Sequence, residues 1–246
     1  MVRITVLGSG DAFGSGGRCH SAYLVETRRA TLLVDCGPTV LQGLKRLRLS
    51  PDRVDVVLVS HLHGDHFGGV PFLLMDYRYD SLRRRPLTIA GPRDTESRVC
   101  LLFRALYESS SLESPPYEIA WRQLPAHVPV PVAGDVQVTA FPVRHAPELE
   151  CFGYRLEVEG RVIVYSGDTG WTDDLIEQVR DADLFLCECS TYETRLDLHI
   201  AYPEIATRAS TLGCKRLVLT HLGREPLARL SEISLECAWD GMVIEL

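Results

Sequence analysis

The chain has 246 residues, of which 46% are hydrophobic and 24% are charged, a composition typical of soluble globular proteins with a substantial core. Its formal net charge is −7, which argues against a long nucleic acid as partner, because such proteins usually carry a basic surface. No apolar run approaches the roughly 20 residues of a membrane span. No signal peptide is visible and the eight cysteines form no C-x-x-C pair. We therefore expect a cytoplasmic protein without membrane contact.

The first half of the chain alternates apolar, β-branched segments with segments of helical periodicity. Strands are predicted for VRITVLG (2–8), SAYLVET (21–27), TLLVDCG (31–37) and VDVVLVS (54–60). Apolar residues at helical spacing predict helices at 38–49 and 95–107. Residues 108–131 are rich in Ser and Pro and predict a connecting loop.

The second half repeats this order of elements. Strands are predicted for VQVTAFP (136–142), FGYRLEV (152–158), RVIVY (161–165), ADLFLCE (182–188) and KRLVLT (215–220), with helices at 172–180 and 203–212. Each half has a strand centred on a tyrosine and then a strand that ends in an aspartate-bearing turn. The repetition predicts one α/β domain of two similar halves, approximately 1–130 and 131–246, with two sheets packed face to face. Chance similarity between amphipathic strands is the alternative explanation.

The segment SHLHGDHFGG (60–69) follows the fourth predicted strand and concentrates metal-ligating side chains. His61, His63, Asp65 and His66 lie within six positions, and imidazole and carboxylate groups are the ligands that Zn²⁺ takes. Ligand sites in α/β folds usually lie beyond the carboxyl ends of strands. The three glycines of this segment are expected to let the backbone turn tightly around an ion. Four polar residues in a solvated loop are the alternative.

Three further residues are the first metal-competent side chains after later strands. They are His145 after VQVTAFPV, Asp168 in the turn SGDTG, and His221 in LTHLG. His127, in the proline-rich connection, is expected to be solvated.

The order H-x-H-x-D-H, lone His, Asp in a GDT turn and lone His resembles the metallo-β-lactamase superfamily over essentially the whole chain. The resemblance implies a four-layer αβ/βα sandwich of two similar halves. It assigns His61, His63 and His145 to one divalent ion and Asp65, His66 and His221 to a second, with Asp168 bridging both. Two zinc ions are expected, and manganese or iron remains an alternative. A hydroxide shared by the two ions would attack the substrate.

Glu188 at a strand end and His199 before a predicted helix resemble the ribonuclease Z-like and cyclic-phosphate phosphodiesterase branch. The resemblance implies that His199 acts as the general acid for the leaving group, with Glu188 orienting it. Asp65 would orient the attacking hydroxide in addition to binding metal. The alternative is a histidine at a helix start and a glutamate that satisfies backbone groups.

Two departures from ribonuclease Z bear on the substrate. Ribonuclease Z carries a long tRNA-gripping arm between the third metal histidine and the bridging aspartate, but here only 23 positions separate His145 from Asp168. The Arg-Tyr pair that commonly follows the last histidine is also absent.

The sequence therefore predicts a hydrolase for a small anionic phosphodiester, such as a cyclic nucleotide or a cyclic sugar phosphate. A lactone or thioester hydrolase and ribonuclease Z-type RNA processing are the alternatives. Dimers are common in the resembled branch, and the sequence leaves the oligomeric state open. The arginine-rich segment 76–104 either lines the cleft or forms a solvated surface.

Overall fold

The computed structural model describes residues 1–107 and 115–246, which contain fourteen strands and seven α-helices. The strands are β1 (Arg3–Gly8), β2 (Ala22–Glu26), β3 (Thr31–Val34), β4 (Val56–Leu58), β5 (Leu87–Gly91), β6 (Ile119–Gln123), β7 (Val130–Ala133), β8 (Val136–Pro142), β9 (Phe152–Val158), β10 (Arg161–Tyr165), β11 (Leu184–Glu188), β12 (Leu217–Thr220), β13 (Glu236–Cys237) and β14 (Val243–Glu245). The helices are α1 (Val40–Arg46), α2 (Gly64–Phe67), α3 (Val70–Tyr79), α4 (Thr95–Leu106), α5 (Asp174–Val179), α6 (Tyr202–Arg208) and α7 (Arg224–Ala228). Within the described ranges, no helix is long and apolar enough to cross a membrane.

The strands form two seven-stranded mixed sheets whose pairing patterns match. The first sheet has the order β14-β1-β2-β3-β4-β5-β6 and the second has β13-β12-β11-β10-β9-β8-β7. Strands β1 to β3 pair antiparallel and β3 to β5 pair parallel, and the same sequence of pairings runs from β8 to β12. The predicted internal repetition is therefore confirmed as two similar halves.

Three apolar clusters give the molecule its four layers. Alternating residues of both sheets, such as Ile4 in β1 and Leu156 in β9, form the core between the sheets. The outer face of the first sheet packs on α1, α3 and α4, with Leu73 fully buried there. The outer face of the second sheet packs on α5 and α6 around residues such as Phe185 and Ile205. Each sheet thus buries both faces, as expected for strands with nearly continuous apolar sequence.

The predicted strands and helices are confirmed with boundaries shifted by a few residues, apart from the predicted loop at 108–131. Residues 115–131 of this segment contain β6 and the start of β7, and residues 108–114 lie outside the described part of the chain. Both strands are at sheet edges, where, among the described residues, β6 pairs only with β5 and β7 only with β8. Edge strands tolerate polar residues and proline, as at Pro131, so their sequences lack the apolar signal of the central strands.

One arginine of the segment 76–104 neither lines the cleft nor meets solvent, because Arg83 is 1% exposed. Its guanidinium donates hydrogen bonds of 2.8, 2.9 and 2.6 Å to the backbone carbonyls of Arg85, Asp52 and Pro86. The same group lies 4.7 Å from the ring centre of Tyr77, within the range of a cation–π contact. Arg83 therefore ties the end of α3 to the segment before β4.

We expect Arg83→Met to lower the free energy of unfolding by more than about 2 kcal/mol, because the buried guanidinium group loses its hydrogen bonds to three backbone carbonyls. Urea unfolding of the metal-free protein measures the change. Arg84→Met, at an exposed neighbouring position, is the matched control and should change stability by less than about 0.5 kcal/mol. Equal effects of the two substitutions would contradict a structural role for Arg83.

Candidate metal centre

Seven predicted ligand residues meet at the carboxyl ends of the strands. His61 and His63 follow β4, and the short helix α2 begins at Gly64 and carries Asp65 and His66. His145, Asp168 and His221 follow β8, β10 and β12 in the second half. The structure brings all seven side chains together in two adjacent groups.

The first group consists of His61, His63 and His145. Each offers one ring nitrogen, and the three nitrogens lie within 4.8 Å of one another. Nε2 of His145 is 2.9 Å from Nδ1 of His63, and the ring centres of these residues are 4.8 Å apart. Three ring nitrogens that converge from two different sheets form a set that can hold one cation.

The second group consists of Asp65, His66, Asp168 and His221. Oδ2 of Asp168 lies 3.2 Å from Nε2 of His66 and 3.3 Å from Nε2 of His221. Oδ2 of Asp65 lies 3.1 and 3.3 Å from the same two ring nitrogens. Four donor atoms thus face a common point.

Asp168 lies between the two groups. Besides its contacts within the second group, its Oδ2 atom is 4.0 Å from Nε2 of His61 and 3.9 Å from Nε2 of His145. One carboxylate oxygen therefore lies within 4.0 Å of ring nitrogens from both groups.

The unpaired polar atoms of the cluster fit bound cations. Nε2 of His61, Nε2 of His66 and Oδ1 of Asp168 are buried and have no hydrogen-bond partner. Buried polar groups are normally paired, so such atoms require an explanation. Nitrogen and oxygen donors of this type suit Zn²⁺ and related divalent ions, and the cluster accordingly indicates divalent metals.

The pKa shifts of the cluster show strong mutual electrostatic effects. Burial alone would lower the pKa of His66, but Asp168 and Asp35 outweigh it and raise this pKa well above its usual value. Burial would raise the pKa of Asp168, but His221 and His66 hold it well below the usual range. The pKa of His61 is lowered, first by burial and then by His66. These opposing pKa shifts follow from the close packing of imidazole and carboxylate groups in a buried cluster.

Asp35 supports the cluster from behind, and sequence reasoning noted its position without assigning this role. The residue is fully buried, and Oδ2 accepts hydrogen bonds from Nδ1 of His66 (2.7 Å), the Tyr165 hydroxyl (2.7 Å) and the Ser60 hydroxyl (2.9 Å). A carboxylate at Nδ1 leaves Nε2 of His66 to face the second group. The parallel between Asp35 and Asp168 in the two halves was the available signal.

Asp35 and His221 share an uncommon backbone conformation. Their φ angles are +57° and +53°, in the left-handed region that side chains other than glycine rarely adopt. Such strain persists only where the surrounding structure enforces it, and it clusters at functional sites.

Gly68 and Gly69, beside the candidate ligands, do not provide the tight backbone turn that the sequence predicts. Gly68 has a φ angle of −63° and Gly69 of −81°, so neither position needs glycine for a tight left-handed turn. A Cβ atom on Gly69 would lie 2.1 Å from the carbonyl oxygen of Gly37. Glycine is required here because the ligand segment packs directly on the loop that follows β3.

His199 and Glu188 form a hydrogen-bonded pair next to both groups. Nδ1 of His199 lies 2.8 Å from Oε1 of Glu188, and the ring of His199 is 4.7 Å from that of His145 and 5.8 Å from that of His221. Glu188 is 1% exposed, whereas the His199 side chain is 22% exposed. Burial would lower the pKa of His199, but the hydrogen bond to Glu188 and the negative charges of Glu188 and Asp168 together outweigh burial and raise this pKa to about 9.

The segment before His199 is attached to the metal-ligand turn of the second half. The carbonyl oxygen of Leu198 lies 3.0 Å from Nδ1 of His145, which fixes the tautomer that presents Nε2 to the first group. Arg144 donates hydrogen bonds of 2.9 and 2.6 Å to the carbonyl oxygen of Asp197. The placement of His199 and the orientation of His145 thus depend on one stretch of backbone.

Comparison with known families agrees with this arrangement. Residues 30–222 match the model of the beta-lactamase superfamily domain, which covers the segment from β3 to His221. The chain belongs to the beta-lactamase superfamily. It is thus a hydrolase-family protein with the metallo-β-lactamase fold, and the fold predicted from the order of its ligands is confirmed.

Similar members of the superfamily include proteins of different names. The chain is 34% identical to the uncharacterized protein Rv1339 of Mycobacterium tuberculosis over 228 positions, covering 90% of this chain and 81% of that one. It is 29% identical to a ribonuclease Z of Methanosarcina acetivorans over 269 positions, covering 90% and 88%. The crystal structure of human tRNase Z, short form, superposes with a TM-score of 0.81 at 26% identity and covers 99% of this chain and 98% of that one.

We expect Asp35→Asn to weaken binding of a divalent ion at the second group by about 10–100-fold, because an amide NH₂ replaces an oxygen that accepts hydrogen bonds from His66 and Tyr165. Competition of the metal-free protein with a chromogenic chelator for Zn²⁺ measures the affinity. Asp135→Asn, at an exposed turn between β7 and β8, is the control. Unchanged affinity in Asp35→Asn would remove Asp35 from the support of the metal centre.

Proposed function

We propose that this superfamily member is a metal-dependent phosphodiesterase that acts on a small phosphodiester, such as a cyclic nucleotide or a cyclic sugar phosphate. The observation that carries the proposal is the hydrogen-bonded pair of His199 and Glu188 beside the metal cluster. Phosphodiester cleavage expels an alkoxide-type oxygen and benefits from a positioned general acid. Lactones and thioesters release better leaving groups and have less need of such an acid.

In this proposal the two groups hold two divalent ions. His61, His63 and His145 bind one ion, and Asp65, His66 and His221 bind the other, with Asp168 between them. Zinc is the proposed metal because the donors are imidazole nitrogens and carboxylate oxygens. Two ions at such a site would supply an activated water and stabilise the charge that develops on the phosphate. Asp65 has a second proposed role, the orientation of the attacking water.

His199 is the proposed proton donor to the leaving group. Its Nδ1 atom is engaged by Glu188, so Nε2 is the nitrogen left to donate a proton to substrate. Glu188 is held by further donors, including the backbone N–H groups of Thr169 (2.8 Å) and Ser190 (3.1 Å). A fixed, buried carboxylate of this kind keeps the imidazole protonated and correctly oriented.

Three observations support a small substrate over tRNA. β9 and β10 occupy most of the chain between His145 and Asp168, so no long arm lies there. The alignment with the Methanosarcina ribonuclease Z spans 269 positions, more than the 246 residues of this chain, so that enzyme carries additional residues within the aligned region. The net charge of −7 also disfavours a long polyanion.

The proposed setting is the cytoplasm. All eight cysteines are unpaired, and five of them, including Cys36 and Cys187, are buried. Free buried cysteines are common where thiols stay reduced.

We expect the zinc-loaded protein to hydrolyse bis(p-nitrophenyl) phosphate and to lose this activity in a chelator. His199→Ala should retain two ions per chain by elemental analysis. It should lower turnover of 2′,3′- and 3′,5′-cyclic nucleotides by about 100-fold or more, because their leaving oxygens need a proton. Turnover of bis(p-nitrophenyl) phosphate should fall less, because p-nitrophenolate is a stable anion.

His127→Ala provides the matched control, since His127 is exposed and belongs to neither ligand group. A panel of lactones, thioesters and short RNA run in parallel distinguishes the alternatives. Preferred hydrolysis of a lactone or thioester by the wild type would replace the proposed function. Loss of metal from His199→Ala would refute the assignment of His199 as a general acid.

A further inference from the structure

The hydroxyl of Ser190 lies between the second group and the pair of His199 and Glu188. Its Oγ atom is 2.9 Å from Nδ1 of His221, 2.9 Å from Oε2 of Glu188 and 3.1 Å from Nδ1 of His199. Ser190 lies two residues beyond Glu188, the last residue of β11, so the end of the strand positions its backbone. One side chain thus contacts a candidate metal ligand, the general acid and its partner.

The directions of these hydrogen bonds follow from the chemistry of the groups. Nε2 of His221 faces the carboxylates of Asp65 and Asp168 at 3.3 Å each. A neutral imidazole that offers Nε2 to a cation carries its proton on Nδ1, which then donates to Ser190. The serine hydroxyl has one proton, and an ionised carboxylate only accepts. The hydroxyl therefore donates to Oε2 of Glu188.

The other oxygen of Glu188 completes the connection. Oε1 accepts hydrogen bonds of 2.8 Å from Nδ1 of His199 and of 2.8 Å from the backbone N–H of Thr169. A continuous chain of hydrogen bonds therefore runs from His221 through the serine hydroxyl and the carboxylate to His199. Cooperative chains of this kind orient each member more strongly than isolated pairs.

We propose that Ser190 is a positioning residue that holds the Nδ1-protonated tautomer of His221 for metal binding and orients Glu188 toward His199. The proposed orientation of Glu188 toward His199 rests on the proposed phosphodiesterase function, whereas the proposed effect on His221 concerns metal binding alone. Without the hydroxyl, the Nδ1–H group of His221 and Oε2 of Glu188 each lose a partner. Both the second metal site and the general acid are then less well ordered.

The first test measures metal affinity. Metal-free Ser190→Ala should bind the second Zn²⁺ about 10–100-fold more weakly than the wild type in competition with a chromogenic chelator, with affinity for the first ion unchanged. Ser190→Thr, which keeps a hydroxyl, should restore the affinity. Ser97→Ala, at an exposed serine in the first turn of α4, is the control.

The second test measures dependence on the leaving group at saturating zinc. Ser190→Ala should lower kcat for cyclic nucleotides more than kcat for bis(p-nitrophenyl) phosphate, as His199→Ala does. When His199 has already been replaced by alanine, Ser190→Ala should no longer lower kcat for cyclic nucleotides more than kcat for bis(p-nitrophenyl) phosphate. This non-additivity separates an effect transmitted through His199 from a general loss of structure.

Circular dichroism checks that each variant folds. If Ser190→Ala does not fold, Ser190→Cys replaces it, because a cysteine side chain is nearly the size of serine but is only a weak hydrogen-bond donor. Unchanged affinity for the second ion overturns the inference, and so do equal losses on both substrates. If the wild type hydrolyses no phosphodiester, the proposed function fails while the affinity test still decides whether Ser190 positions His221.

Discussion

The candidate metal centre exists because the carboxyl ends of strands from both packed sheets lie next to one another. Every candidate ligand follows a strand or begins the short helix after one, and parallel pairing aligns the carboxyl ends of β3, β4 and β5 in one half and of β10, β11 and β12 in the other. Hydrogen bonds between the halves hold these ends together: the Tyr154 hydroxyl donates to the carbonyl of Val59, and the Tyr165 hydroxyl to Asp35. The sandwich thus positions side chains that are more than 150 residues apart.

Burial of so many ionisable groups is favourable only if their charges are balanced. Hydrogen bonds and opposite charges hold the carboxylates ionised. Burial would raise the pKa of Asp65, for example, but His66 has the largest opposite effect, and this pKa is lowered. Partners outside the cluster occupy the second nitrogen of three ligand rings: Asp35 for His66, the Leu198 carbonyl for His145 and the Ser190 hydroxyl for His221. Because each ring has one nitrogen engaged, the other faces inward.

Sequence reasoning predicted the two halves from apolar periodicity, and it found the seven converging residues because they lie just beyond strongly apolar strands. The pair of His199 and Glu188 was predicted instead from a resemblance to known enzymes. It missed the edge strands β6, β7, β13 and β14, whose short sequences carry little pattern, and it also missed β5, α2, α3 and α7. It also left the role of Ser190 unassigned, since a serine hydroxyl acquires its role from contacts with residues such as His221, 31 positions away. Likewise, the burial of Arg83 was invisible in a run of arginines, because composition does not show which side chain turns inward.

Strand β14 forms one edge of the first sheet, next to the first strand of the chain. It pairs antiparallel with β1, and the backbone of Leu246 bonds with that of Val2 in both directions, at 2.9 and 3.3 Å. Because β14 follows every other described strand in the sequence, it is synthesised after them. Until β14 has been synthesised, the outer side of β1 has no partner strand in this sheet, and its amide and carbonyl groups are open to other strands. The half that carries His61 and His63 reaches its final seven-stranded form only after the half that carries Asp168.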